Sequence, residues 1–76
     1  MEDDSYVAIA KSTKQGQAYF KRFANASCAV DRGWDVTINC DYLQRSSVPP
    51  YLEKFRVRID PTTNIVVEVE IQTNAP

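Results

Sequence analysis

Apolar and polar residues alternate strictly along the second half of the chain, which predicts β-strands with one buried face. In the stretch WDVTINCDY every second residue is apolar or a cysteine, beginning at Trp34 and ending at Tyr42. Successive side chains of a strand point to opposite faces of a sheet, so this pattern is typical of a half-buried strand. We expect the buried face to consist of Trp34, Val36, Ile38, Cys40 and Tyr42.

A second alternating region predicts a hairpin. The segments KFRVRID and IVVEVEIQ flank the sequence DPTTN. Pro61 presets the backbone angle that a turn requires, and Asn64 tolerates the left-handed conformation. The two flanking segments are therefore expected to pair as antiparallel strands.

The side chains also predict a register for this hairpin. If Asp60 pairs with Asn64, apolar residues face apolar residues on one side and opposite charges face each other on the other side. Each such cross-strand pair stabilises a sheet by about 0.2–1 kcal/mol. We expect a charged face that is solvated and paired with itself, and the predicted pairs are Ile59–Ile65, Val57–Val67, Phe55–Val69, Arg56–Glu68 and Lys54–Glu70.

The first part of the chain favours a helix. Ser5 to Cys28 contains no proline and one glycine, and its apolar residues recur at steps near three and four, which is the helical period. Asp3, Asp4 and Ser5 provide negative charge and a cap at the N-terminus of this helix. We expect residues 1–4 to fray. The apolar positions are Tyr6, Ile9, Ala10, Thr13, Phe20, Phe23, Ala24 and Cys28.

Gly16 makes a break within this helical region plausible, because glycine disfavours a helix by roughly 1 kcal/mol relative to alanine. Ser12 with Gln15 would then cap a second helix. The resulting prediction is an α+β fold, a single domain over residues 1–76, with an N-terminal helical segment packed on a three-stranded antiparallel β-meander. The alternative is a β-α-β-β-β order in which residues 5–11 form a strand.

Residues 43–53 are predicted to form a proline-containing loop. The segment LQRSSVPPYLE contains two serines and the pair Pro49–Pro50, which cannot donate hydrogen bonds to a sheet. Loops carry binding residues more often than the elements they connect. We therefore regard this loop as a candidate contact surface.

Composition places the chain among ordinary globular proteins. Of the 76 residues, 43% are hydrophobic and 25% are charged, and the net charge is −1, so no overall field attracts nucleic acid or membrane. The acidic start MEDDSYVAIA differs from a secretory signal, and the apolar runs are too short to span a membrane. We expect a cytoplasmic protein with free, buried Cys28 and Cys40 thiols; one bridge between them is the alternative.

Catalytic chemistry is not indicated. The sequence has no histidine, which is the commonest general base and metal ligand, and it has no phosphate-binding loop. Asp35, Asn39 and Asp41 share a predicted strand face, but a solvated face explains them better than a cation site does. We expect no enzyme activity, no cofactor and no metal.

The segment KQGQAYFKRF allows two interpretations. As a helix, it buries Phe20 and Phe23 and leaves the basic residues in solvent. As a strand, it partly resembles the aromatic signature of RNA-recognition domains, although Gln17 stands where that signature has an aromatic residue and Arg22 where it has another. The helix is the favoured interpretation.

The sequence thus predicts a non-catalytic protein-binding module, such as an inhibitor, an adaptor or an accessory subunit that occludes its partner. One alternative is nucleic-acid binding through Lys14–Phe23, and another is a homodimer formed through the edge of the last strand. The predicted contact residues are Lys11, Lys14, Lys21 and Arg22 on the helix and Arg45, Pro49, Pro50 and Tyr51 in the loop.

Overall fold

A computed structural model of the chain describes residues 1–73, which form two helices followed by a four-stranded antiparallel sheet. The strands are consecutive neighbours, in the order β1-β2-β3-β4. The predicted α+β class is confirmed, but the sheet has four strands rather than three. The elements are α1 (Asp3–Ser12), α2 (Lys14–Arg22), β1 (Ser27–Arg32), β2 (Val36–Gln44), β3 (Tyr51–Asp60) and β4 (Ile65–Thr73).

The helical region breaks at Thr13. The Thr13 hydroxyl donates a hydrogen bond to the Ala10 carbonyl oxygen at 2.8 Å and accepts one from the Gly16 amide at 2.9 Å. Thr13, and not Ser12, therefore caps α2, because its side chain reaches both helices at once. Residues 5–11 lie within α1, so the alternative that placed a strand there is wrong.

Gly16 is needed where the two helices meet. A β-carbon at this position would lie 2.2 Å from the Ala10 carbonyl oxygen, far inside normal contact distance. The absent side chain thus allows the first turn of α2 to approach the last turn of α1 closely.

The missed strand, β1, lies where the helical pattern was extended to Cys28. Helix α2 ends at Arg22, and Ser27–Arg32 pairs with β2 over its whole length. This short segment carries only two inward apolar-type side chains, Cys28 and Val30, whose spacing alone does not exclude a helix. Pairing with β2, a contact distant in sequence, decides its conformation.

The core lies between the helices and one face of the sheet. Its strand residues confirm the alternating pattern, with Val36, Ile38 and Cys40 buried as predicted. Trp34 is an exception: it lies in the turn between β1 and β2 and is 99% exposed, so its predicted place in the core is wrong. The other buried core residues are Tyr6, Ala10, Tyr19, Phe23, Phe55, Val57 and Ile59.

The β3–β4 hairpin forms with a different register from the predicted one. Asn64 has the predicted left-handed conformation, with a φ of 60°, but Asp60 pairs with Ile65 rather than with Asn64. A bulge opposite the Arg58–Ile59 junction then inserts Val67 as an extra residue. A bulge shifts every later pair, which the side-chain pattern alone does not reveal. Opposite charges still face each other, and the observed pairs include Ile59–Val66, Arg58–Glu68, Val57–Val69, Arg56–Glu70, Phe55–Ile71 and Lys54–Gln72.

The connection between β2 and β3 is shorter than the predicted loop over residues 43–53. Strand β2 extends to Gln44 and strand β3 begins at Tyr51, and these two residues are paired. Only residues 45–50 lie outside the strands, because the sheet pairing continues into both ends of the predicted loop.

Candidate functional site

Strand β4 presents an unpaired edge. It pairs with β3 on one side, and within residues 1–73 no strand pairs with its other side. Three of its large apolar side chains are exposed: Ile65 by 61%, Val67 by 50% and Ile71 by 51%. A long apolar edge strand exposes backbone amide and carbonyl groups that can accept a further strand. We refer to Ile65–Thr73 and its unpaired side as the β4 edge.

Two carboxylates are the outermost charged groups on the sheet face that the helices leave open. Glu68 and Glu70 lie on β4, while their arginine partners lie one strand inward on β3. The Arg56 guanidinium pairs with Glu70 and lies 3.8 Å from Glu68, and Arg58 lies 3.7 Å from Glu68 and 3.2 Å from Asp35. The open face is thus paired with itself, as predicted, but its border at β4 is acidic.

A shallow groove separates α2 from β4 on the helix-covered side of the sheet. Its position follows from the helix layer, which packs over β1, β2 and β3 and leaves part of β4 uncovered. Ala18 has a small side chain and keeps the groove open between the helix and Ile71. The groove is lined by Ala18, Tyr19, Arg22, Phe23, Glu53 and Ile71.

Tyr19 attaches α2 to the sheet beside this groove. Its hydroxyl donates a 2.7 Å hydrogen bond to the Glu53 carbonyl oxygen, and its ring stacks on Phe55 at 5.2 Å between centroids. Burial, together with the nearby negative charges of Asp41 and Glu53, raises the pKa of Tyr19 to about 12. Tyr19 therefore stays protonated and acts as a structural anchor at neutral pH.

The helix interpretation of KQGQAYFKRF is confirmed, and the strand interpretation is wrong. Tyr19 and Phe23 are buried and Phe20 is half-buried, so these rings belong to the core. Lys14, Lys21 and Arg22 are exposed around them.

The predicted basic residues flank α2 without forming a closed site. The Lys11 ammonium lies 4.9 Å from the centroid of the Phe20 ring, and the Arg22 guanidinium lies 4.9 Å from that of Phe23. These two cations rest on aromatic rings, while Lys14 and Lys21 extend into solvent. We call Lys11, Lys14, Lys21 and Arg22 the basic rim.

The predicted loop residues lie at the end of the β2–β3 hairpin. Arg45, Pro49 and Pro50 are exposed, whereas Tyr51 is half-buried at the start of β3. Among residues 1–73, no hydrogen bond or salt bridge joins these residues to the basic rim. The structure therefore shows two separate predicted surfaces rather than one combined site.

Two exposed apolar residues were missed by the sequence analysis. Val48, in the loop, is 95% exposed, and Trp34 is almost fully exposed in the turn after β1. Gly33 and Asp35, which flank Trp34, are turn-forming residues and could have indicated a turn at this position.

The opposite edge of the sheet is held by a disulfide bond. Cys28 and Cys40 are directly opposite in the β1–β2 register, with their Cα atoms 4.0 Å apart, and they form a bridge. The prediction of free thiols is wrong because β1 is a strand and brings the two residues together. The bridge joins two adjacent strands, which bears out the alternative of one bridge between these cysteines.

Arg32 holds the other end of β1 to the N-terminus of the chain. Its guanidinium contacts the Asp3 carboxylate and the Met1 carbonyl oxygen, both at 2.7 Å, and lies 5.1 Å from the centroid of the Tyr6 ring. Helix α1 begins at Asp3, within the segment 1–4 that was expected to fray.

In the described part of the chain, no group of three or more histidine, cysteine, aspartate or glutamate side chains is arranged to hold a metal ion. Neither α1 nor α2, the helices found in residues 1–73, has the length and apolar character needed to cross a membrane. Comparison of the chain with models of known protein families, with curated proteins and with solved structures gives no match.

Proposed function

We propose that the protein is a non-catalytic protein-binding module, such as an inhibitor, an adaptor or an accessory subunit, that acts by occluding its partner. The β4 edge carries this proposal, because it combines unpaired backbone groups with three exposed apolar side chains. Main-chain hydrogen bonds along such an edge provide affinity, and the side chains on its two faces provide specificity.

The other predicted surfaces extend the possible contact area. Val48 is exposed beside Pro49 and Pro50 in the loop, and the basic rim is exposed along α2 and the last turn of α1. Loops carry binding residues more often than the elements they connect. We propose the loop and the basic rim as secondary contacts of the same partner.

The compartment of this proposed module differs from the sequence-based expectation. The Cys28–Cys40 bridge favours an oxidising compartment over the cytoplasm, since disulfide bonds persist mainly where thiols are not kept reduced. Partner searches are therefore best made with oxidised protein and with extracts that contain no reductant.

The proposal is tested by isolating a partner with the oxidised full chain and then reconstituting the purified complex. Three variants each change one surface: Ile71→Lys at the β4 edge, Val48→Asp in the loop and Lys21→Glu on the basic rim. We expect a one-to-one complex that Ile71→Lys weakens most, with circular dichroism and thermal unfolding used to verify the fold of each variant. Failure to obtain any stoichiometric complex, or a complex that all three variants leave unchanged, would contradict the proposal.

A homodimer is the second candidate, and the same unpaired edge favours it. Two β4 strands could pair across a twofold axis into a continuous sheet. Sedimentation equilibrium over a wide concentration range tests this candidate. A monomer mass that does not change with concentration would exclude it.

A further inference from the structure

We propose that the β4 edge binds an extended segment of another protein in which basic and apolar side chains alternate. The proposal rests on the proposed function and adds the chemistry of the partner. We further infer that Glu68 and Glu70 make such a segment a better occupant than a second copy of this chain.

The usable part of the edge lies after the bulge. Because Val67 is an extra residue, regular pairing with β3 resumes at Glu68 and continues through Gln72. Along this stretch Val69 and Ile71 oppose the core residues of β3, whereas Glu68 and Glu70 oppose arginines on the open face. An added strand of about five residues would therefore meet apolar and acidic side chains in turn.

The acidic border selects basic side chains on the open face. Arg56 and Arg58 lie on the inner side of Glu68 and Glu70, and the Gln72 side chain donates a hydrogen bond to the second oxygen of Glu70. A further strand could therefore reach the two carboxylates only from the outer side of β4. Directly opposite charges stabilise a pair of strands, and like charges destabilise it. Lysine or arginine at two alternate positions of the added segment would complement both carboxylates.

The same carboxylates disfavour a second copy of β4. Antiparallel pairing of two copies about Val69 sets Glu68 opposite Glu70 of the second copy. Pairing about Glu70 sets the two Glu70 side chains opposite each other. Lys54 and Arg56, the nearby cations on β3, already have cross-strand partners on β2 and β4 of their own chain. The registers that pair the most residues of the two β4 strands thus place like charges in contact. Such repulsion at sheet edges is known to oppose self-association.

The groove beside α2 requires an apolar side chain on the other face of the segment. It opens next to the exposed Ile71, and Ala18, Tyr19 and Phe23 form much of its wall. A valine or leucine of the added strand that points to the helix-covered side would fill this groove. Ala18 lines the groove with a small side chain, so a larger residue at this position would block the groove.

The experiment uses the oxidised full chain and three synthetic seven-residue peptides with blocked ends. The first is KVKVKVK, the second is its acidic counterpart EVEVEVE, and the third is KVKPKVK, whose proline prevents strand pairing. Binding is followed by amide chemical shifts in nuclear magnetic resonance titrations. We expect KVKVKVK to shift the amides of Glu68–Gln72 and to bind about tenfold more tightly than either other peptide.

Variants identify the residues responsible. The double change Glu68→Gln and Glu70→Gln is expected to weaken KVKVKVK about tenfold, and Glu68→Lys with Glu70→Lys to reverse the preference toward EVEVEVE. Ala18→Gln, which keeps a good helix former, is expected to weaken binding by filling the groove. A matched control, Glu2→Gln with Asp31→Asn, makes the same change in net charge away from β4 and is expected to leave binding unchanged.

The outcomes separate this inference from the proposed function. Equal binding of the acidic peptide, shifts confined to another surface, no binding of KVKVKVK, or an unchanged affinity in the double glutamine variant would each overturn the inference. If the purified partner complex described above is still lost in Ile71→Lys, the β4 edge keeps its proposed function with a partner of different chemistry. If that complex does not form at all, the proposed function fails as well.

Discussion

The two edge strands of the sheet are treated differently by the rest of the molecule. Strand β1 has six residues, is bridged to β2 through Cys28–Cys40, and is tied to the N-terminus of α1 by Arg32. Strand β4 has nine residues, carries three exposed large apolar side chains, and has neither a bridge nor an ion pair to a helix among the described residues. Both strands lack a neighbour on one side, but β1 is short and cross-linked, whereas β4 is long and presents exposed apolar side chains.

This difference follows from where the helices lie. Helix α1 contacts β1 and β2, and the aromatic residues of α2 pack on β2 and β3. The helix layer is therefore placed over the first three strands of the sheet rather than centred on all four. The strand left partly uncovered is β4. Its bulge and its two glutamates are features that limit edge-to-edge pairing between copies of a sheet.

Removing the disulfide tests how firmly the β1 edge is closed. We expect Cys28→Ala with Cys40→Ala to lower the free energy of unfolding by about 3 kcal/mol, because the bridge closes a short loop in the unfolded chain. Urea unfolding measures the loss, and reduced wild-type protein should show a similar one. Hydrogen exchange should quicken more at Val30 than at Val69; equal changes at both strands would show that the bridge does not act mainly on β1.

Gly16→Ala tests the helix junction that sets how far the helix layer extends. The new β-carbon would clash with the Ala10 carbonyl oxygen, so α2 must move away from α1. We expect a loss of about 2 kcal/mol in unfolding free energy despite the better helix propensity of alanine. Gln15→Ala, an exposed change in the same helix, should stay within about 0.5 kcal/mol. A Gly16→Ala variant as stable as the wild type would contradict the close approach.

Tyr19→Phe tests the anchor between α2 and β3. Loss of the hydrogen bond to Glu53 should cost about 1 kcal/mol at neutral pH. The pKa of Tyr19 is raised from 10.0 to about 12 in the folded protein, so its stabilising contribution is complete below pH 10 and is lost as the pH rises toward 12.

The pH dependence has a definite sign. Between these two pKa values the unfolded protein loses the proton more readily, so the stability of the wild type should fall by about 1.4 kcal/mol per pH unit more than that of the variant. Urea unfolding of both proteins from pH 7 to pH 11 measures this difference. If the stability difference between the wild type and Tyr19→Phe stays constant above pH 10, the Tyr19 hydroxyl is not held in a buried site.

A pair of identical substitutions gives the smallest effect and compares an inner strand with the β4 edge directly. Ile59→Val removes a methylene group from a fully buried side chain and should cost about 1 kcal/mol. Ile71→Val removes the same group from a half-exposed side chain and should change stability by less than about 0.5 kcal/mol. Equal losses, measured by chemical unfolding, would indicate that Ile71 is covered in solution.

Sequence reasoning succeeded where the pattern was local and long. The alternation in β2 and β3 predicted the buried face that includes Val36, Ile38 and Val57, and the apolar stripe of α2 predicted that Phe23 is buried. Cross-strand register was harder, because Asp60 pairs one residue beyond Asn64 and the extra residue Val67 displaces the later pairs once more. The side-chain pattern contains no sign of either change. The candidate site was predicted only as a possible dimer edge, since exposure depends on which strands the helices cover.

By itself, the sequence determined the fold class, the inward faces of β2 and β3, and the amphipathic character of α2, because side-chain period is a local property. Tertiary structure decided that Ser27–Arg32 is a strand, that Cys28 meets Cys40, and that Trp34 is exposed. It also decided which edge stays open. These features depend on contacts between residues far apart in the chain, and a local pattern contains no information about which partner a surface will meet.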